Sequence, residues 1–315
     1  MIPLSSVSKE FLVALKISCI NFNKKLFYTK NVIENVYASI RQNERWILIM
    51  EDWLGIKDRV VIVTGASSGI GASVVQELLD DGCRVANFDI KDNGLVHENY
   101  LFLQTDVSSR ENVEASVQKV VDKWGSVDAL VNNAGINVPR LLVDPKDPKG
   151  KYELADDSFD KMVAINQKGV FLLAQTVARI LVNKRQGVII NMCSESGLEG
   201  SEGQSPYAGT KAAVYSYTRS WAKELGKHNV RVVGVAPGIL EETGLRTLAY
   251  EEALSYTRGK TVEQLRAGYA STTTTPLGRS GKLTEVSDLV AYLVSDRSSY
   301  ITGTTINIAG GKTRG

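Results

Sequence analysis

The 315-residue chain has little cysteine, histidine or proline. Its three cysteines, Cys19, Cys83 and Cys193, are scattered, which excludes a disulfide framework and fits a reducing, cytoplasmic compartment. The two histidines, His97 and His228, lie far apart without clustered cysteines or carboxylates, so a zinc mechanism is set aside and no metal is expected. No apolar run reaches the roughly 20 residues a membrane span needs. The best candidate, Phe11-Leu12-Val13-Ala14-Leu15, is broken by Lys16 and resumes only to Ile20. Charge of one sign is also scarce: a formal net charge of +2 gives no electrostatic reason to expect nucleic acid. No internal repeat or low-complexity segment is present.

What is there is ample hydrophobic content, 43%, enough for the core of one α/β domain. Residues 1–49 differ in character, carrying a net charge of +4 and isolated apolar stretches, and are expected to be an N-terminal extension. From Met50 the chain runs through Trp53 and Lys57 into an apolar strand, and residues 50–315 are expected to form a single catalytic domain.

Beyond Met50, short β-branched runs alternate with longer amphipathic ones. This pattern predicts a doubly wound, seven-stranded parallel sheet with helices on both faces. Strands are expected at 60–64, 84–89, 101–104, 129–132, 187–192, 230–235 and 305–308. Helices are expected at 69–80, 111–123, 157–182, 207–226 and 284–295. Two long connections, 137–154 and 238–281, leave the carboxyl ends of their strands, where α/β sheets place function.

A glycine-rich turn, Thr64-Gly65-Ala66-Ser67-Ser68-Gly69-Ile70-Gly71, follows the first strand and opens a helix. In that context Gly65 permits a tight turn, Gly69 lets backbone N–H groups approach a pyrophosphate, and Gly71 allows close helix packing. The next strand ends at Asp89, whose carboxylate can accept from ribose hydroxyls and would repel a 2′-phosphate. NAD is therefore expected over NADP. Downstream, Tyr207 precedes Lys211 by four residues and follows Ser194 by thirteen. A phenol ionises near pH 10 and needs a fixed cation to work at neutral pH. Lys211 shares its helical face and is expected to lower its pKa, while Ser194 holds the reacting oxygen.

With Asp106-Val107, Asn132-Asn133-Ala134-Gly135, Asn166, Tyr207-Ala208-Gly209-Thr210-Lys211 and Pro237-Gly238, the chain from Lys57 onward resembles the short-chain dehydrogenase/reductase family. The resemblance implies a Rossmann-type fold and a dimer or tetramer. It implies that Asp106 and Val107 border the adenine and that Asn133, Ala134 and Gly135 support the cofactor. Asn166 would join Ser194, Tyr207 and Lys211 as a tetrad, holding a water beside Lys211. The chain departs from the family pattern where a threonine commonly follows Pro237-Gly238 by four residues. Glu242 stands there and Thr243 comes one later, leaving the Ile239 backbone as the candidate for the nicotinamide amide.

Polar residues Glu195, Ser196, Glu199, Glu202 and Gln204 between Ser194 and Tyr207 argue for a polyol rather than an apolar substrate. Arg140, Lys146, Lys149 and Lys151 in the first long connection and Arg246, Arg258, Lys260, Arg266 and Arg279 in the second could clamp a phosphate, with Arg140 and Arg246 as the chosen candidates. At a finer level, Ser194 to Tyr207, Val235 to Glu241 and Asn307 to Gly315 resemble a bacterial branch acting on sugar-alcohol phosphates. That resemblance implies interconversion of sorbitol 6-phosphate and fructose 6-phosphate. Three alternatives stay open: a free-polyol dehydrogenase, a 3-oxoacyl reductase, against which Asp89 counts, and a non-enzymatic NAD-binding regulator, against which the intact tetrad counts.

Overall fold

The computed structural model describes residues 53–312 apart from 242, 245, 272 and 273. The expected extension over residues 1–49 lies outside the described residues. The chain divides into two units, Met1–Trp53 and Leu54–Gly315, and the second carries everything described below.

Its elements run β1 (Val60–Thr64), α1 (Gly69–Asp80), β2 (Arg84–Asp89), β3 (Tyr100–Gln104), α2 (Arg110–Trp124), β4 (Ala129–Asn132), α3 (Asp156–Val163) and, after a π-helical turn (Ala164–Gly169), α4 (Val170–Lys184). There follow β5 (Gly187–Met192), α5 (Ser196–Glu199), α6 (Ser205–Gly226), β6 (Val230–Pro237), α7 (Leu248–Thr257), α8 (Val262–Ser271), α9 (Leu283–Val294), a 3-10 turn (Asp296–Ser298) and β7 (Thr305–Ile308). All pairings are parallel, in the order β3-β2-β1-β4-β5-β6-β7. The expected seven-stranded sheet is therefore present.

Strand periodicity builds two cores. Val61 and Val63 of β1 join one cluster with Val74, Leu78 and Val290, while Val60 and Ile62 join the other with Val117, Leu173 and Val177. Helices α1 and α9 thus cover one face and α2 and α4 the other. Each fully buried aliphatic side chain contributes about 1.5–3 kcal/mol, so these layers fix the sheet whose carboxyl edge carries the site.

Two expectations fail in instructive ways. The helix expected over 157–182 is interrupted at Ala164–Gly169, where the backbone widens into a π turn. That turn buries Asn166, whose Oδ1 accepts from the Ile136 N–H and whose Nδ2 donates to the Ile136 carbonyl, both at 2.8 Å. Such single-turn bulges re-aim a side chain that a regular helix would place elsewhere. The connection expected over 238–281 contains α7 and α8. Thr247 caps α7 by accepting from the Tyr250 N–H, and Thr261 with Gln264 forms a reciprocal cap at α8.

Among the described residues no helix is long and apolar enough to cross a membrane, and no cluster of metal-ligating side chains occurs.

Candidate active site

Where β1 gives way to α1, Gly65 and Gly69 take the left-handed region, with φ of 61° and 56°, which a side chain would strain. Packing is also close. A Cβ on Gly65 would lie 2.8 Å from the Ala134 Cα, and one on Gly71 would lie 2.3 Å from the Gly65 carbonyl oxygen. Thr64 Oγ1 accepts from the N–H groups of Asn133 and Ala134, and Asn133 Nδ2 donates to the Thr64 and Gly65 carbonyls. These bonds lock the turn to the end of β4. Ser68 gives α1 no side-chain cap and its first turn holds no acidic residue, so the leading N–H groups suit an anion.

A cavity of about 260 Å3 opens over this turn, bordered by Gly65, Ser68, Gly69, Ile70, Asp89, Asp106, Val107, Asn133, Ala134 and Gly135. Ser67 stands beside it, donating its N–H to Asp89 Oδ2 at 3.0 Å. The other Asp89 oxygen accepts from the Ile90 and Lys91 N–H groups at 2.7 and 3.2 Å. A carboxylate oxygen offers two acceptor positions, so Asp89 is oriented yet retains capacity toward the cavity. Asp106 is pinned by the N–H and hydroxyl of Ser108, and Val107 packs where a Gly169 Cβ would come within 3.0 Å of it. The fit to a dinucleotide rests on this cradle: backbone with no room for side chains beneath, a helix N-terminus in front and a carboxylate at the far strand end.

A larger cavity of about 590 Å3 shares Ile70, Asn133, Gly135 and Thr243 with the first and is bordered by Ser194, Glu195, Ser196, Tyr207, Lys211, Pro237, Gly238, Ile239 and Arg246. Ser194 follows β5, its Oγ 3.0 Å from Ser196 Oγ. Tyr207 occupies the first turn of α6 after Pro206, and Lys211 lies one turn further, its Nζ 5.7 Å from the Tyr207 ring centroid. The buried ammonium of Lys211 donates to the Met192 carbonyl at 2.6 Å. Asn166 Nδ2 also reaches Thr210 Oγ1 at 3.3 Å, which ties the π turn to α6.

The electrostatics correct one expectation. Burial pushes the Tyr207 phenol above its ordinary value, and its hydrogen bond with Ser194 only partly reverses this; Cys193 and Glu195 add to the rise. Burial likewise pushes Lys211 down. In the protein alone the phenol is not acidified, because desolvation dominates and the ammonium faces the Met192 carbonyl. The Cys193 thiol, pushed up to about 11 by burial, stays neutral near pH 7. Glu195 is then the charged neighbour that matters.

The two proposed phosphate ligands separate. Arg246 borders the larger cavity, its guanidinium 4.2 Å from the Tyr269 ring centroid and 3.4 Å from Glu251. Arg140 borders neither cavity, donating instead to the Pro139 carbonyl at 2.7 Å and lying 5.8 Å from the Tyr152 ring centroid. That expectation is corrected: the 137–154 connection turns Arg140 onto its own aromatic neighbour. Thr243 borders both cavities despite its shifted position, whereas Glu242 lies outside the described residues. Arg258 and Lys260, named among the cations of the 238–281 connection, also reach the cavity wall, whereas sequence reasoning missed Tyr250, Tyr269 and Lys312 there. The Thr247 and Thr261 caps were the available signal for the two tyrosines. Lys312 stood only within the Asn307 to Gly315 resemblance.

A model of the short chain dehydrogenase family matches residues 59–253. The chain belongs to this family. It is 60% identical over 268 residues to a sorbitol-6-phosphate 2-dehydrogenase of Klebsiella pneumoniae, covering 84% of this chain and 100% of that protein. It is 37% identical to a 3-oxoacyl-(acyl-carrier-protein) reductase of Thermotoga maritima, covering 81% and 98%. Among solved structures, a Thermoplasma acidophilum aldohexose dehydrogenase matches with a TM-score of 0.71 at 28% identity, covering 82% of this chain and 95% of that one. Like these relatives, this short-chain dehydrogenase is an oxidoreductase acting on a CH–OH group.

Proposed function

We propose that the protein interconverts sorbitol 6-phosphate and fructose 6-phosphate with NAD. Bound in the cradle, the nicotinamide cofactor supplies the hydride acceptor or donor. Gly65 to Gly71 and the α1 N-terminus would hold the pyrophosphate, Asp89 the adenosine ribose, Asp106 and Val107 the adenine side, and Pro237 to Ile239 the nicotinamide end. Ser194 holds the carbinol or carbonyl oxygen, and Tyr207 takes or gives its proton. Lys211 supports that exchange with a positive charge one helical turn away, and Asn166 positions the backbone at Ile136 beside it.

The observation that carries this reading is convergence. Ser194, Tyr207 and Lys211 border a cavity, lined also by Glu195, Ser196 and Gln204, that meets the glycine-turn cradle, in a chain 60% identical to a sorbitol-6-phosphate 2-dehydrogenase along that enzyme's full length. Asp89 supports NAD because a 2′-phosphate would face its carboxylate, with electrostatic repulsion as the cost. A dehydrogenase of an unphosphorylated sugar is the second reading, supported by the likeness to the aldohexose dehydrogenase.

One spectrophotometric screen decides between them. NAD and NADP are each offered with sorbitol, sorbitol 6-phosphate, other polyols and their phosphates, and nicotinamide reduction is followed. The proposal expects the highest kcat/KM with NAD and sorbitol 6-phosphate; a higher value with free sorbitol would refute it.

A further inference from the structure

We propose that Arg258 and Lys260 form the anion-binding end of the substrate cleft and take the phosphate of the substrate. The inference rests on the polyol-phosphate reading above and names the residues that give it its preference for a phosphorylated substrate.

Helix α7 ends at Thr257 in a fixed turn. Gly259 adopts φ 59°, its N–H donates to the Tyr256 carbonyl at 3.1 Å, and the Lys260 N–H donates to the Ser255 carbonyl at 2.9 Å. This is the helix-closing arrangement that a left-handed glycine makes possible. Arg258 and Lys260 therefore flank a backbone with one defined shape, and both border the cavity that holds Ser194 and Tyr207.

The turn is also tied to the catalytic loop. Arg258 Nη2 donates to Ser201 Oγ at 3.0 Å, and a Cβ on Gly203 would lie 2.2 Å from Thr257 Oγ1. Ser201 and Gly203 lie between Ser194 and Tyr207 in the chain. The positive end of the cleft is thus bonded to the segment that joins Ser194 to Tyr207.

The other cations on the cavity wall already have partners. Arg246 meets Glu251 and the Tyr269 ring, Lys312 meets Glu195, and Lys211 is buried against the Met192 carbonyl. Among the described residues, neither Arg258 nor Lys260 forms an ion pair with a carboxylate. Arg258 spends one N–H on a neutral hydroxyl and keeps the rest of its fork. A helix C-terminus favours cations by itself, but that preference does not require them to face a cleft. A guanidinium fork, an ammonium and the Ser201 hydroxyl together match a phosphate carrying a charge of about −1.5 to −2 near pH 7.

The test is steady-state kinetics on the full chain with Arg258→Ala, Lys260→Ala and the double variant, using sorbitol 6-phosphate and sorbitol in parallel. Each single change is expected to lower kcat/KM for sorbitol 6-phosphate roughly 10-fold, mainly through KM, and the double change roughly 100-fold. The preference for the phosphate ester over the free polyol narrows accordingly, and Arg258→Lys regains part of the loss. A wild-type KM for NAD establishes that each variant is folded. Arg179→Ala, on the exposed surface of α4, is the control. Wild-type preference that survives in the double variant, or an equal loss with both substrates, overturns this inference alone. A wild-type enzyme without preference for the ester overturns the polyol-phosphate reading with it.

Discussion

Lys312 Nζ donates to Glu195 Oε1 at 2.5 Å, tying the C-terminal segment to the residue that follows Ser194. The pair sits on the cavity wall beside Tyr207, and its charge balance bears on the proton that Tyr207 is proposed to move. The Glu195 carboxylate raises the phenol, because a nearby negative charge disfavours tyrosinate. Lys312 carries the opposite charge beside that carboxylate, and an opposite charge favours tyrosinate.

In the proposed mechanism alcohol oxidation needs the deprotonated phenol and should rise with pH through the Tyr207 pKa. Lys312→Ala removes the positive charge beside Glu195, so the rise is expected to move to higher pH, by up to about one unit. Glu195→Gln removes the carboxylate and is expected to move it to lower pH. Profiles of kcat/KM against pH check both directions; superimposable profiles would mean that Glu195 does not act on the phenol.

Asp89 accepts from three backbone N–H groups while facing the cradle. Asp89→Ala removes the proposed acceptor for the ribose hydroxyls together with the charge proposed to oppose a 2′-phosphate. The ratio of kcat/KM for NAD to that for NADP is expected to fall by about 10- to 100-fold, since hydrogen bonds to charged groups contribute about 1.5–3 kcal/mol. Measuring both cofactors at saturating substrate checks this, and an unchanged ratio would place cofactor selection elsewhere.

Gly71 leaves no space for a methyl group, because its Cβ would meet the Gly65 carbonyl oxygen at 2.3 Å and Asn133 Nδ2 at 2.6 Å. Gly71→Ala is expected to destabilise the fold by about 1–3 kcal/mol, the usual cost of overpacking, and to weaken NAD binding. Gly209→Ala, where a Cβ meets nothing within 4 Å, should do neither. Thermal unfolding of the two variants makes the comparison.

Much of the architecture was legible because short β-branched runs separated by longer amphipathic ones mark a parallel sheet covered by helices. In β1, Val60 and Ile62 face one core and Val61 and Val63 the other, and the continuous apolar run shows a strand buried on both faces. The glycine turn was legible because its positions meet steric demands that no other residue satisfies. Features set by tertiary contacts were less visible. The π turn at Asn166 exists because its side chain brackets the Ile136 backbone, which no local pattern announces. The upward shift of the Tyr207 phenol comes from burial, and helical spacing alone is silent on desolvation. Arg140 shows the same limit: a cation in the right loop turned onto Tyr152 instead of the cleft. The helices α7 and α8, by contrast, carried readable caps at Thr247 and Thr261 within a segment whose length suggested only a loop.

The central claim is that the Tyr207 hydroxyl exchanges the proton while the cradle holds the cofactor independently. Its most direct test is Tyr207→Phe, with turnover of sorbitol 6-phosphate and NADH affinity measured on the same preparation. The account predicts a fall in kcat of about 10²- to 10⁴-fold, the usual contribution of a positioned acid–base group, with NADH affinity within about twofold of wild type, since the cradle retains its bonds. Turnover within about tenfold of wild type, below the range expected for such a group, would contradict it.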